Sequence, residues 1–363
     1  SWVEPSPAGS ALRVAALRSG AWSAPRTVAS GADWVVHGAD IPSAAVAAGE
    51  TIAAHWRVRA PGGGHAYHVR VSASRDGGIT WSAPVSPHAD GSATEHGFVS
   101  VVPLADGFVV AWLDGRETAG GGATALMAAE LRADGTVGAE TILDARACDC
   151  CPTDAVRTRT AALVAYRDRS ESDVRDISIC RMDPETGRWE DPRTVHADGW
   201  RIAGCPVDGP ALAAAGETVA CAWFTLGAKG DEPQAQIALS RDGGRTFDEP
   251  LRIDLGNALG RCDLAALPDG SFLASWMEGR GEDAEIRVRR IAPGGKMDPS
   301  GVAAFTANDR ASGAPRIAIA GEDVWLAWTE PGEPSRVRVV RYQTNSTPAR
   351  ATPTSSVSYS TER

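Results

Sequence analysis

Runs of small apolar and β-branched residues that close on an aromatic ring come round six times, ending at Trp56, Trp112, Tyr166, Trp223, Trp276 and Trp328. These positions recur at intervals of about 52 to 57 residues. A shorter apolar stretch precedes each run, over 42–48, 98–104, 154–160, 210–214, 262–267 and 315–320. A third alternating stretch follows at 68–74, 125–131, 177–182, 236–240, 285–291 and 336–342. A fourth, shorter one falls at 84–86, 140–143, 193–196, 250–253 and 302–306, and the sixth period has none. Side chains of a strand alternate between faces, and Gly, Pro and Asp separate the stretches, so each period reads as four antiparallel strands. Nowhere does the apolar spacing follow a helix. Several short strands repeated at a fixed period are the mark of a β-propeller, and the pattern predicts an all-β fold of six four-stranded blades.

Residues 11–28 carry strand sequence with no aromatic run of their own. They are expected to complete the last blade and so close the ring, which leaves no open sheet edge. The domain reading is a single propeller over 1–343. The segment 344–363, rich in Ser, Thr and Pro with no apolar pattern, reads as a disordered or appended tail.

Composition changes this picture in three ways. The chain of 363 residues carries a net charge of −10 and no basic stripe, which argues against nucleic acid as a partner. No run has the eighteen or more apolar residues of a membrane span. Seven cysteines cannot all pair within one chain. The start at Ser1 fits a processed, exported protein, periplasmic or secreted, and a monomer is expected.

Two turns carry a resemblance. Ser74, Asp76, Gly78, Thr80 and Trp81 repeat as Ser240, Asp242, Gly244, Thr246 and Phe247. In each, Asp can cap backbone amides and Gly can adopt positive φ. The pattern resembles the Asp box (BNR repeat) of the sialidase (neuraminidase) superfamily, where it is structural, and the resemblance spans roughly residues 11–342. It implies a six-bladed propeller but not its chemistry. The superfamily's carboxylate-binding arginine opens the first blade in a Phe-Arg-Ile-Pro motif. Here Ala39-Asp40-Ile41-Pro42 stands there, so an acid replaces the cation. Arg201 and Arg261 are counterparts for the other two arginines, with Arg316 a third candidate. The stretch 311–315, where the tyrosine nucleophile should stand, contains no tyrosine.

The entries of the first strands, which in a propeller face the central channel, gather chemistry. They supply His37, Asp40, Glu95 and His96, then Cys148, Asp149, Cys150, Cys151 and Asp154, then Arg201, Cys205, Asp208, Arg261, Cys262 and Asp263. Thiols with imidazole suit zinc or copper(I), so Cys148, Cys150, Cys151, Cys205, Cys262 and His96 are read as metal ligands. The alternative is that Cys205 and Cys262 bridge to two of the earlier thiols. Cys180 and Cys221 read as small core residues, and His55, His65, His68 and His88 as surface or packing side chains.

Three functions follow. The first is a hydrolase of an ester, lactone or phosphoester, with a metal-bound water activated in the cluster. In it Asp40, His96, Arg201 and Arg261 are catalytic, and Arg316, Asp208 and Asp263 bind a small-molecule substrate. The second is a non-catalytic propeller that binds zinc or copper. The third is a glycoside hydrolase, an exo-sialidase or a carbohydrate-binding relative, with Asp40, Glu95 or another carboxylate pair as acid and base.

Overall fold

The computed structural model describes residues 1–342 apart from 19, 62, 322 and 334. The tail assigned to 344–363 lies outside the described residues. Strands dominate, and three 3₁₀ turns of three residues each are the helical pieces among the described residues. No helix is long and apolar enough to cross a membrane.

The chain forms two compact units, Ser1–Asp149 and one beginning at Cys150. Beside the short hairpin of Leu17–Arg18 and Ala21–Trp22, the first unit holds three blade sheets: sheet one (Trp2–Ser6, Gly9–Val14, Arg26–Gly31), sheet two (Ser43–Val46, Ile52–Arg59, Tyr67–Ser74) and sheet three (His96–Leu104, Gly107–Asp114, Ala125–Arg132, Thr141–Asp144). The second unit holds four. They are sheet four (Asp154–Arg157, Ala162–Arg167, Ile177–Met182, Arg193–His196) and sheet five (Ala211–Ala215, Thr218–Thr225, Gln234–Ser240, Leu251–Arg252). Sheet six (Ala258–Ala266, Phe272–Arg280, Asp283–Ile291, Gly301–Ala307) and sheet seven (Arg316–Ala320, Asp323–Glu330, Arg336–Tyr342) follow. Neighbouring strands pair antiparallel in chain order, the meander expected of propeller blades.

The blade count is therefore seven, not six. The N-terminal strands do not complete the last sheet. They pair with one another, Trp2 opposite Arg13 and Leu12 opposite Ala29, and sheet seven stays three-stranded. Sheet one escaped the periodicity because its middle strand, Gly9–Val14, carries Leu12 in the core and no aromatic residue. Sheet two has three strands, and its expected fourth, at 84–86, is reduced to one bridge between Val71 and Val85.

Apolar faces of consecutive sheets interlock within each unit. Leu12 of sheet one packs with Trp34, Ala54, Trp56 and Val58. Trp112 of sheet three meets Val69 and Val71 of sheet two, and Trp276 of sheet six meets Ile237 and Leu239 of sheet five. The alanines beside these rings, such as Ala220 and Ala222, leave room for the flat side chains to lie between sheets.

Candidate active site

The buried acids singled out in the sequence share one structural task. Each leaves the first strand of a sheet, or the turn before it, and accepts a backbone N–H from the next sheet. In the first unit Phe98 N–H donates to Asp40 Oδ2 at 2.6 Å. In the second, Leu212 donates to Asp154 (2.7 Å), Arg261 to Asp208 (3.0 Å) and Ile317 to Asp263 (2.7 Å). Strand edges between blades carry N–H groups that no ladder satisfies, and a carboxyl oxygen answers them. Phe98 and Arg261 take positive φ to aim their N–H groups, +53° and +55°. The residues before them are Gly97 and Gly260, where a Cβ would stand 2.4 Å from Asp40 Oδ2 and 2.1 Å from Asp208 Oδ2. Burial raises the carboxyls of all four acids, Asp154 to about 6 and Asp208 to about 7.

The arginines divide. Arg261 donates to the carbonyls of Asp309 (3.0 Å) and Gly313 (2.9 Å), so it fastens the turn before sheet seven. Arg201 is exposed, with a backbone bridge to Val174. Arg316 is exposed beside Asp263, 3.4 Å away, and its charge also bears on Asp154. In the second unit, therefore, Arg316, Asp263 and Asp154 come together, while Arg201 and Arg261 are engaged elsewhere.

The cysteines do not form the five-sulfur centre read from the sequence. Cys150 and Cys205 are joined as a disulfide, so neither is a thiolate ligand. Cys262 is buried in the core between sheets five and six, and burial pushes its thiol well above the ordinary range. Cys148 and Cys151 are buried at the end of the first unit and the start of the second. Cys180 and Cys221 are core side chains. His96 faces His68 and His88, which the sequence reading had set aside as packing residues.

One group in the first unit differs from the ties. Arg57, buried in the middle strand of sheet two, places Nε 2.9 Å from Asp40 and a terminal nitrogen 3.6 Å from Glu95, and its guanidinium lies 5.0 Å from the centre of the Tyr67 ring. The Tyr67 hydroxyl lies 3.2 Å from Nδ1 of His65. Glu95 is held by its backbone. Its carbonyl accepts from Gly115 N–H at 2.9 Å, and a Cβ at Gly115 would stand 2.8 Å from that oxygen. Its carboxylate accepts no backbone N–H from a following sheet among the described residues, and the side chain is 43% exposed. Burial raises the Glu95 carboxyl, the Asp40 charge adds to the rise, and Arg57 opposes it. An acid with raised pKa, open to solvent and fixed in place, can deliver a proton to a bound molecule. The sequence offered Glu95 and Asp40 but not Arg57 or Tyr67. The signal for Tyr67 was the alternation in His65-Ala66-Tyr67-His68, which sends residues 65 and 67 to one face and His68 to the other.

The two box-like turns have nearly the same geometry. Ser74 Oγ accepts from Gly78 N–H and Ser240 Oγ from Gly244 N–H, each at 2.9 Å. Thr80 donates to Asp76 at 2.6 Å and Thr246 to Asp242 at 2.7 Å. The Thr80 hydroxyl and amide, with Ser74 and the Ile79 amide, hold the Asp76 carboxyl down at about 2.

No family model matches the sequence, and no curated protein does. Solved structures do match. The fold is that of the sialidase-like β-propellers. A Hadza microbial sialidase superposes with TM-score 0.52 at 15% identity, over 80% of this chain, which spans 62% of that protein. An α-L-arabinanase of Penicillium chrysogenum superposes with TM-score 0.52 at 12% identity, over 86% of this chain and 95% of its own. A PL25 ulvan lyase gives TM-score 0.54 at 10% identity, over 83% and 79%. At such identities the likeness of this sialidase-like propeller to the three enzymes is one of fold.

Proposed function

We propose that this propeller is a carbohydrate-active enzyme that cleaves glycosidic bonds, with Glu95 as the proton donor to the leaving oxygen. The observation that carries the reading is the contrast within one class of residue. Asp40, Asp154, Asp208 and Asp263 are committed to backbone N–H groups, whereas Glu95 is raised, half-exposed and committed to none. Arg57 fixes Asp40 and lies beside Glu95, and the Tyr67 hydroxyl, paired with His65, is the second polar group for the sugar. That the fold's neighbours include an arabinanase, a sialidase and an ulvan lyase agrees with this reading. A thiolate-metal esterase is less supported, because Cys150 and Cys205 share a disulfide and Cys262 sits in the core.

The test is a panel of arabinans, sialosides and uronate-containing polysaccharides, assayed for new reducing ends and for unsaturated products. Glu95→Gln is expected to lower kcat by about 10²–10⁴-fold, the usual contribution of a general acid. Sialosides are expected not to turn over, because Asp40 stands where an arginine would bind the carboxylate. A Glu95→Gln protein with wild-type rates, or turnover of esters alone, would overturn the proposal.

A further inference from the structure

Three histidines that are scattered in sequence meet in the first unit. His68 lies in the third strand of sheet two, His88 in the loop that follows, and His96 opens sheet three. One ring nitrogen from each lies within 4.8 Å of the others. The rings of His88 and His96 are parallel, with centroids 3.9 Å apart, and His68 lies 5.2 and 5.7 Å from them.

The hydrogen bonds fix which nitrogens are available. His96 Nδ1 stands 3.0 Å from the Tyr67 carbonyl oxygen, which can only accept, so this nitrogen carries the proton. In the neutral ring, Nε2 of His96 then presents its lone pair. His96 is fully buried, and Nε2 has no hydrogen-bond partner. What it faces is also an acceptor: Asp90 Oδ1 at 3.3 Å and Asp114 Oδ1 at 3.5 Å. Nε2 of His88 accepts from Val69 N–H at 3.2 Å, so the proton of that ring is on Nδ1, which donates to the same Asp90 oxygen at 3.1 Å. His68 Nδ1 is buried without a partner. Two imidazole nitrogens, on His68 and His96, and the Asp90 carboxylate are thus left as acceptors in one buried cluster. Lone pairs facing each other in a buried space repel unless a cation lies between them.

We propose that His68, His96 and Asp90 form a binding site for a divalent transition metal of the zinc class. The ligands are His68 Nδ1, His96 Nε2 and an Asp90 oxygen, and His88 holds that carboxylate in place through its Nδ1–H. Two nitrogens and one carboxylate, with a fourth position for water, suit tetrahedral zinc and not calcium or magnesium, which take oxygen shells. Ligand atoms at about 2.0–2.1 Å from one ion lie roughly 3.4 Å apart, so a pair 4.8 Å apart closes by about 1.4 Å on binding. Of the other charges around the site, Arg70 bears on His68 and donates to the Ser86 hydroxyl at 3.3 Å. Asp114 accepts from Trp112 Nε1 (2.8 Å) and from Arg116 Nε (2.8 Å), and Arg116 also meets Glu140 and stands 3.8 Å from Asp90. The Tyr67 carbonyl that orients His96 is the kind of acceptor that usually holds a metal-bound imidazole in place. Because the ligands come from sheets two and three and the loop between them, the ion would fasten these sheets together. The site uses neither Glu95 nor the cysteines.

The chain, purified without chelator and then stripped, is titrated with Zn(II) and with Co(II). The expected result is about one tight equivalent per chain, a rise in Tm on binding, and a Co(II) spectrum with d–d bands but without the intense near-ultraviolet band of thiolate ligation. His68→Ala, at a half-buried position, should keep the fold and lose the tight equivalent and the Tm rise; His88→Ala, which frees the Asp90 carboxylate, should weaken the binding. Binding of none of these ions to folded wild-type protein would overturn the proposal. So would binding that persists unchanged in His68→Ala and His88→Ala, or a Co(II) spectrum dominated by thiolate charge transfer.

Discussion

A buried carboxylate at the mouth of a propeller strand reads as catalytic until its partners are known. Asp208 shows the difference. Burial pushes it up to about 7, the value sought in a general acid, yet both its oxygens face the N–H of Arg261, and Gly260 lies so close that a Cβ there would stand 2.1 Å from Oδ2. The rise has a consequence for stability. In the unfolded chain an aspartate titrates near 3.8, so between about pH 4 and 7 the folded protein holds a proton that the unfolded chain has lost. Stability from this group is therefore greatest below pH 4 and falls as the pH rises through that window. Asp154, raised to about 6, has the same sign over a narrower range. Asp208→Asn keeps an acceptor for Arg261 N–H and removes the titration. The loss of Tm between pH 5 and pH 7 is expected to be smaller in this variant than in the wild type. An equal loss in both would show that Asp208 ionises freely.

At the scale of elements, each unit depends on devices that join one sheet to the next. Carboxylate ties are one such device, and the bond between Cys150 and Cys205 is another, linking the approach to sheet four with the approach to sheet five. It closes a loop with a sequence separation of 55 residues, and a cross-link of that span stabilises by about 2–4 kcal/mol. Cys205→Ser should lower the Tm accordingly. Reductant should then lower the Tm of the wild type and leave the variant unchanged. If reductant has no effect on the wild type, the bond is not formed in solution. The box-like turns belong to the same scale. Asp76 and Asp242 are held down at about 2, so what they contribute is present above the ordinary aspartate range and is lost as the pH falls through 2.

For the molecule as a whole, seven sheets replace the six of the periodicity, and the extra one lies at the N-terminus. Sheet one covers Trp34, Ala54, Trp56 and Val58 with Leu12, Val3 and Val28. Removing residues 1–31 exposes that apolar surface at once, so the truncated chain is expected to be insoluble or to melt well below the full chain. A truncated protein with unchanged melting would mean that sheet one is not part of the folded core.

The sequence by itself determined the strands and their order. Alternation, the recurring aromatic and the turn residues are local, so five of the seven sheets were legible nearly strand for strand, and sheet two lacked only its expected fourth. It also supplied Asp40, Glu95 and His96 as candidates, because polar residues at the head of an apolar run stand out. What a side chain meets is not local. Only the tertiary structure decided that Asp154, Asp208 and Asp263 answer N–H groups 53 to 58 residues further on, and that Cys205 reaches Cys150. It likewise brought Arg57 and Tyr67 to Glu95, and His68 and His88 to His96. The physical reason is that a strand's pattern specifies which face is buried but not which neighbour covers it. That is settled when sheets pack, and a buried polar group is then left to whatever partner the packing brings.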